Sequence, residues 1–473
     1  MTLSPRLGLP AIPGSITWSL TGSIALASAT VLTAAIAVAP PASAEPCTGA
    51  AAAIQPPAAP NAEQTPELPG LNRRPIGQRP RGANEDAPLP RLGQLPRPRG
   101  QVQQQAAVVP PPQPPPPAPA PQPAPAPPVA PGTSIVGWVT GPESPNNTAG
   151  RFAITGTDLG IMWDNGDPVN RQVLMAFGDT YGYCSVRGQQ WRYNVLLRSR
   201  DGALANTIAV PDGRMADRYS GAPLWAPGLA KQIISSIRFA RDERGIIPTA
   251  GIAVGGKQYV NFMSIRSWDA DGRWTTNFSA IAVSPDNGER WGVYPDSVRP
   301  AAPGVVERAQ YVRGYENFQQ GAFLKPGPGD PYVYSFGTPA GRSGPAYVAR
   351  VSPAALPDLR RYEYWDGNAW VPGDPGTAVP VIPGPVSEMS AQYNTYLNQY
   401  LVIYGNGLND IVIRTAPAPQ GPWSPERLVV RSMDIPGGIY APYLHPWSTG
   451  KELYFTLSLW SAYNVMLMKT VLP

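Results

Sequence analysis

Histidine and cysteine are nearly absent from this chain of 473 residues. The sequence contains one histidine, His445, and two cysteines, Cys47 and Cys184. Serine and cysteine triads use a histidine base, and zinc sites use several cysteine or histidine ligands. The composition therefore excludes His-dependent triads and the usual zinc sites, and it leaves paired carboxylates as the simplest catalytic equipment. We expect His445 to be a structural residue.

Long apolar runs are also scarce, and the one long enough to matter lies near the N-terminus. It extends from Leu20 to Val38, follows Arg6 and precedes Ala42-Ser43-Ala44. This order predicts a secretory signal peptide over residues 1–44. The alternative is an uncleaved membrane anchor, because the run approaches the roughly 20 residues that a spanning helix needs. We expect a secreted or cell-envelope protein that leaves the membrane after cleavage.

The two cysteines have two alternative states in an exported chain. Outside the cytoplasm they meet oxidising conditions, so Cys47 and Cys184 could form a disulfide. Such a bond would fix the start of the mature chain to the folded domain. In the alternative both remain thiols with no further role.

Proline is abundant in one part of the chain only. Between Ile54 and Thr133, 25 of 80 residues are proline. Such a segment cannot bury a core and favours extended polyproline II conformations, so residues 45–133 are predicted to be a disordered linker. Residues 54–133 carry a net charge of +3 within a chain total of +5, and this is too little to indicate nucleic-acid binding.

Helical periodicity is almost missing from residues 134–473, which hold 12 of the 13 tryptophans. Short candidate strands with turn residues between them favour a sandwich, barrel or propeller. These strands are Arg151 to Ile154, Val173 to Phe177, Val195 to Ser199, Gln258 to Ile265, Ser279 to Ser284, Gly321 to Leu324, Tyr332 to Phe336, Ala346 to Val351, Tyr400 to Tyr404, Ile411 to Thr415, Leu453 to Leu459 and Val465 to Thr470.

One turn motif decides among these architectures. The segment from Ser284 to Trp291 fits S-x-D-x-G-x-x-W, the Asp-box turn of sialidase-like propeller blades. In that turn Asp286 would be structural, because its side chain holds the backbone of the turn. Weaker relatives follow Ser199 and Thr415. We therefore predict an all-β fold, a β-propeller of about five blades over residues 134–473, with six as the alternative.

Carboxylates in glycine-flanked turns are the main catalytic candidates. Asp158 and Asp179 each lie beside an apolar strand, and both would face the central funnel if those strands formed one hairpin. Glycoside hydrolysis needs only two such groups, one acid and one base or nucleophile. Glu316, with aromatic neighbours that could raise its pKa, is a reserve general acid. The alternative for each is a solvated loop residue.

Aromatic side chains next to amides or guanidinium groups suggest sugar binding, because rings stack on C–H faces and hydroxyls need directional hydrogen bonds. Packing between blades explains the same residues equally well, and a turn role or pairing with Arg414 explains Asp410. The candidate substrate-binding residues are Trp191, Arg192, Asn194, Asn394, Tyr443 and Asp410.

Several short motifs occur in one order along the domain. They are Gly141-Pro-Glu-Ser-Pro-Asn-Asn147-Thr, Gly156-Thr-Asp158-Leu-Gly160, Met162-Trp-Asp164-Asn-Gly166, Phe177-Gly-Asp179-Thr, Trp191-Arg-Tyr-Asn194, Tyr404-Gly-Asn406 and Ile439-Tyr-Ala-Pro-Tyr443. In these the chain resembles the actinobacterial domain-of-unknown-function family 4185, grouped with endo-D-arabinanases in glycoside hydrolase family 183. The resemblance implies hydrolysis of α-linked D-arabinofuranan in mycobacterial arabinogalactan and lipoarabinomannan.

These observations lead to one expectation and two alternatives. We expect a monomeric, exported endo-D-arabinanase that acts on cell-wall polysaccharide through Asp158 and Asp179, without a cofactor or metal. The first alternative is a propeller that binds wall carbohydrate without cutting it. The second is an adhesin that the linker displays.

Overall fold

The computed structural model describes residue 47 and residues 49–56, 132–269 and 273–473. The predicted signal peptide and most of the predicted linker lie outside these residues. The first described element is a short helix, α1 (Gly49–Ala53). Among the helices of the described residues, none has the length and apolar character needed to cross a bilayer.

The strands form antiparallel sheets that follow one another along the chain. The first elements of the domain are β1 (Thr133–Trp138) and helix α2 (Thr148–Phe152). The first blade contains β2 (Leu159–Asp164), β3 (Val173–Phe177) and β4 (Val195–Ser199), and a separate hairpin contains β5 (Leu224–Ala226) and β6 (Leu229–Ala230). The second blade contains β7 (Gly245–Val254), β8 (Lys257–Trp268), β9 (Trp274–Ser284), β10 (Gly292–Val293) and β11 (Arg299–Pro300).

The remaining sheets complete the ring. The third blade contains β12 (Gln320–Leu324), β13 (Val333–Thr338), β14 (Tyr347–Val351), β15 (Glu363–Trp365) and β16 (Trp370–Pro372). The fourth contains β17 (Met389–Asn394), β18 (Gln399–Gly405), β19 (Ile411–Ala416) and β20 (Arg427–Val430), and the fifth contains β21 (Ile439–Leu444), β22 (Glu452–Leu459) and β23 (Asn464–Val471). Short 3-10 helices cover Arg187–Gln190, Pro295–Ser297, Tyr315–Phe318, Pro353–Ala355, Leu359–Arg361, Pro375–Thr377 and Ser432–Asp434.

The two ends of the domain close the ring together. Strand β1 pairs with β23, so the first strand is the outermost strand of the last blade. The innermost strands β2, β7, β12, β17 and β21 contact one another in cyclic order around a central tunnel. The predicted all-β propeller is thus confirmed, with five blades.

Apolar strands pack the blades against each other. All five residues of β3, Val173 to Phe177, are fully buried between the first blade and its neighbours. Each large apolar side chain buried in this way contributes about 1.5–3 kcal/mol. This packing fixes the inner strands and the side chains that they present to the tunnel.

The predicted Asp-box turn is present in the second blade. Ser284 Oγ donates to Asp286 Oδ1 at 2.9 Å, and the backbone N–H of Arg290 donates to the same oxygen at 2.9 Å. Gly288 has a φ of 86°, and Trp291 Nε1 donates to its carbonyl at 3.0 Å. Asp286 therefore holds the turn, as the motif predicts.

One predicted strand is wrong. The segment from Arg151 to Ile154 lies at the end of helix α2 and in the turn after it. Asn147 caps this helix by accepting a hydrogen bond from Gly150 N, and Arg151 bonds to Asp212 on a neighbouring loop. Side-chain capping, which the strand pattern does not reveal, selects the helix.

The two cysteines form a disulfide, with their Cα atoms 5.6 Å apart. This bond fixes residue 47, and with it the segment of residues 49–56, to the domain. Ile54 packs beside a small buried cluster that includes Tyr183 and Leu229. Of the two states left open by the sequence, the structure shows the bridged one.

Candidate active site

A cavity of about 70 Å³ opens at the end of the tunnel where the inner strands begin. It is lined by residues next to the first residues of β2, β7, β12, β17 and β21. Three carboxylates, Asp158, Asp179 and Glu388, share this cavity with one guanidinium group, that of Arg342. We call it the proximal cavity. The convergence of ionisable groups in one concave space marks it as the candidate active site.

Asp158 stands directly before strand β2 at an irregular point of the backbone. The next two residues, Leu159 and Gly160, have φ values of 74° and 76°, and the pairing of β2 with β3 shifts register between Leu159 and Ile161. A positive φ is unusual for leucine and costs on the order of 1–3 kcal/mol. The bulge turns Asp158 towards the cavity instead of continuing the alternation of the strand.

Tyr440 reaches Asp158 from a second bulge. It lies on β21, where the pairing with β22 shifts register between Tyr440 and Tyr443 and Ala441 has a φ of 50°. The hydroxyl of Tyr440 donates to Asp158 Oδ2 at 3.0 Å. Two adjacent inner strands thus carry strained residues immediately after the two side chains that meet in the cavity.

The environment of Asp158 favours its neutral form. Burial, followed by the negative charge of Asp179, raises the pKa of Asp158 to about 8, whereas the hydrogen bond from Tyr440 lowers it. The other oxygen, Oδ1, is buried and has no hydrogen-bond partner among the described residues. Asp158 is therefore mainly protonated at neutral pH, as a general acid must be.

Asp179 follows strand β3 and reaches the same cavity. Leu159 pairs with Phe177 in the β2–β3 hairpin, and Gly178 N donates to the carbonyl of Asp158 at 3.1 Å. Asp179 is 3% exposed. The hairpin geometry that the sequence suggested therefore brings the two aspartates together, and their catalytic roles stay a prediction.

Glu388 and Arg342 form a buried ion pair that sequence reasoning missed. Arg342 Nη2 donates to Glu388 Oε1 at 2.7 Å, and its Nε donates to Oε2 at 3.2 Å. Burial would raise the pKa of Glu388, but the charge and hydrogen bonds of Arg342 hold it below its usual range. Glu388 is thus an ionised partner of Arg342, in contrast to the neutral Asp158.

Aromatic rings form much of the cavity wall. Those that line it are Trp268, Trp274, Tyr440, Tyr443, Trp460 and Tyr463. The Arg342 guanidinium lies 5.0 Å from the ring of Trp274 and 5.4 Å from that of Tyr440. Such a wall can stack on the C–H faces of a sugar while the carboxylates contact its oxygens.

Only some of the predicted substrate-binding residues lie at the proximal cavity. Tyr443 lines the proximal cavity. Trp191 lies in a buried aromatic cluster with Tyr181 and Tyr463, behind the wall of the cavity.

Three of the other four candidates hold the backbone. Arg192 donates to the carbonyls of Ala230 and Ala153, and burial lowers its pKa to about 9. Asn194 donates to Ile234 O and accepts from Ile233 N, and Asn394 donates to Gly450 O. Their positions correspond to the blade-packing alternative, which the sequence could not separate from sugar binding because both use the same residue types.

Two candidates lie away from the cavity. Glu316 accepts from Tyr311 Oη at 3.0 Å and from Gly314 N at 2.8 Å, at the start of a 3-10 helix beside β12. Asp410 accepts from Ser432 N at 2.7 Å in a turn between strands. The structure thus places both carboxylates outside the proximal cavity, where local donors hold them, and the reserve role of Glu316 and the binding role of Asp410 stay predictions.

His445 is fully buried, and burial lowers its pKa to about 4. This environment keeps the imidazole neutral and agrees with a structural role. Within residues 132–269 and 273–473, no group of three or more His, Cys, Asp or Glu side chains is arranged to hold a metal ion.

The chain is similar to known proteins over the propeller. The model of DUF4185, a domain of unknown function, matches residues 143–469. Notoamide biosynthesis cluster protein J' of Aspergillus versicolor is 27% identical over 326 residues, which cover 66% of this chain and 83% of that protein. Notoamide biosynthesis cluster protein J of Aspergillus sp. is 25% identical over 334 residues, which cover 66% and 81%.

Among solved structures, one similar chain is the catalytic domain of the GH62 alpha-L-arabinofuranosidase from Coprinopsis cinerea. It shares 13% identity with a TM-score of 0.40, and the alignment covers 72% of this chain and 96% of that chain. This similarity is too low to assign a substrate.

Proposed function

The chain belongs to the DUF4185 family, and from this premise we propose that it is an exported glycoside hydrolase, an endo-D-arabinanase of the cell envelope. The observation that carries the proposal is the convergence of two aspartates in one cavity, one of them with a raised pKa. Asp158 is held protonated beside the carboxylate of Asp179, within an aromatic cavity. Glycoside hydrolysis requires an acid and a second carboxylate at one site.

In this proposal Asp158 gives its proton to the glycosidic oxygen as the bond to the leaving sugar breaks. Asp179 activates water or attacks the anomeric carbon from the other side. The ionised Glu388 lies in the same cavity, and its negative charge also raises the pKa of Asp158, whereas the charge of Arg342 lowers it. Desolvation of the site strengthens these charge effects relative to water.

The substrate class rests on the motifs that resemble arabinanases. The proximal cavity is narrow, at about 70 Å³. One glycosidic linkage would therefore enter it, while the rest of the polysaccharide lies across the opening of the cavity. This arrangement suits cleavage within a chain. The disulfide supports export, because such bonds persist mainly outside the cytoplasm.

Incubation of the full chain with mycobacterial arabinogalactan, with chromatography of the products, tests the proposal. We expect arabinan fragments from the wild type and a loss of at least about 1,000-fold in Asp158→Asn and Asp179→Asn. Glu316→Gln is the matched control and should keep its activity, because Glu316 lies outside the cavity. Binding of the glycan without any release of fragments would instead identify a carbohydrate-binding propeller.

A further inference from the structure

A second cavity occupies the opposite end of the tunnel. Its volume is about 460 Å³, within the roughly 300–1,000 Å³ typical of ligand pockets. The last residues of the five inner strands line it, and Tyr443 lines both cavities. We call it the distal cavity, and we propose that it binds a sugar that carries an acidic group. This proposal goes beyond the hydrolase activity and does not depend on it.

The first argument is an ammonium group without a partner. Lys325 follows strand β12 at the rim of the distal cavity, and among the described residues it has no ion pair and no hydrogen bond. Its side chain is exposed at the rim, where partial desolvation lowers the pKa of Lys325 and the charge of Asp164 raises it. An anionic ligand group would give this ammonium the partner that it lacks.

The only carboxylate among the described lining residues does not cancel that charge. Asp164 Oδ1 accepts from Gly166 N at 2.7 Å, and its Oδ2 accepts from Arg171 Nε at 3.1 Å and from Trp447 Nε1 at 2.5 Å. Both oxygens are thus already used, and Arg171 neutralises the charge. The rim therefore has a net charge of about +1, from the two cations Arg171 and Lys325 and the one carboxylate of Asp164.

The second argument is a buried acceptor. The side chain of Gln392 lines the distal cavity and is 8% exposed. Its Nε2 donates to Ser448 O at 3.1 Å, and this bond fixes the orientation of the amide. Its Oε1 is left with no partner among the described residues. A buried acceptor without a donor is destabilising, so a rearrangement of Gln392 that gave Oε1 a ligand hydroxyl would be favourable.

The third argument is the shape of the wall. Tyr393 lines the cavity as a half-buried ring, and Tyr400 supports it edge-on at 5.3 Å. The loop after Lys325 lies against the same ring, since a Cβ on Gly327 would lie 2.8 Å from Tyr393 Cε2. The loop that carries the ammonium is therefore fixed on the aromatic residue. A cation, an amide acceptor and aromatic walls together fit a hydroxylated ring with an acidic substituent.

Isothermal titration calorimetry of the full chain with D-glucuronate, glucose 6-phosphate and glucose tests this inference. We expect at least one acidic sugar to bind, glucose to bind at least tenfold more weakly, and the affinity for the acidic sugar to fall at 0.5 M salt. The preference between glucuronate and glucose 6-phosphate shows whether the acidic group is a carboxylate or a phosphate.

Variants separate this site from the proximal cavity. Lys325→Met should lower the affinity for the acidic sugar at least tenfold, whereas Lys469→Met, which alters a lysine on the fifth blade, should not. Asp158→Asn should leave the affinity for the acidic sugar unchanged. Binding at the distal cavity would then be seen in a variant that has lost hydrolase activity. Absence of binding by both acidic sugars, or equal affinity in Lys325→Met, would overturn the proposal.

Discussion

The hydroxyl of Tyr440 donates to Oδ2 of Asp158 across 282 positions of sequence, at 3.0 Å. Each residue directly precedes a non-glycine residue with positive φ, Ala441 and Leu159 respectively. Strained backbone of this kind persists only where the surrounding structure imposes it, and it is common at functional sites. The contact thus depends on two β-bulges that lie next to each other. Through it, the protonation of Asp158 is coupled to the hydroxyl of Tyr440 on another blade.

The first prediction concerns the pH dependence of activity. If Asp158 is the general acid, activity should fall as the pH rises through its pKa of about 8. The hydrogen bond from Tyr440 lowers that pKa, so Tyr440→Phe should move the alkaline limb of kcat/KM to higher pH. The measurement is a pH profile on soluble arabino-oligosaccharides. Tyr463→Phe is the control, because Tyr463 lines the cavity without a hydrogen bond to Asp158, and it should leave the limb nearer its wild-type position.

The second prediction concerns stability. The pKa of Asp158 is raised from 3.8 to about 8, so the folded chain keeps a proton that the unfolded chain releases between these values. The proton on Asp158 therefore contributes its full stabilisation to the folded chain below pH 3.8, and this contribution is lost as the pH rises towards 8. Asp158→Asn removes this effect, so its Tm should rise relative to wild type between pH 4 and pH 8. The gain is on the order of a few kcal/mol in the free energy of unfolding.

Differential scanning calorimetry over that pH range measures the difference in Tm. A difference that stays constant with pH would show that Asp158 titrates normally in the folded chain. It would then contradict the role of Asp158 as an acid held neutral by the fold.

Sequence patterns revealed the parts of the site that depend on short-range structure. Asp158 and Asp179 lie in glycine-flanked turns of one hairpin, and Asp286 lies in a turn motif of eight residues. In each case the residues that fix the side chain are close in sequence. Local backbone rules were therefore sufficient to single them out.

The rest of the site depends on packing between blades. Arg342 and Glu388 are 46 positions apart and come from different blades, so no local motif marks them as partners. The inner strands β7, β17 and β21 were also missed. Strand β7 contains Pro248 and β21 contains Pro442, and proline normally argues against a strand within a sheet. The ring of blades accommodates these residues at register shifts, which only the assembled fold defines.

The third prediction concerns the glycine between the two carboxylate positions. A Cβ on Gly178 would lie 2.5 Å from Asp158 Oδ1 and 3.1 Å from Leu159 Cδ1. Gly178→Ala should therefore displace Asp158 and lower kcat/KM by about 10- to 100-fold, or roughly 1.4–2.8 kcal/mol of transition-state stabilisation. Gly202→Ala is the matched control, since its nearest contact would be an ordinary 3.8 Å to Trp447. Equal activity of the two variants would show that Asp158 is free to move or is not needed.

The last prediction concerns the disulfide that joins residues 137 positions apart. Cys184 lies five positions after Asp179, and the segment held by Cys47 packs near Tyr183. The double variant Cys47→Ser/Cys184→Ser should lose about 2–4 kcal/mol in the free energy of unfolding, because the unfolded chain regains freedom and the packing of the segment weakens. Dithiothreitol should lower the Tm of the wild type and leave that of the double variant unchanged. If both proteins have the same Tm without reductant, the segment of residues 49–56 adds nothing to the fold, and the propeller is stable without its N-terminal attachment.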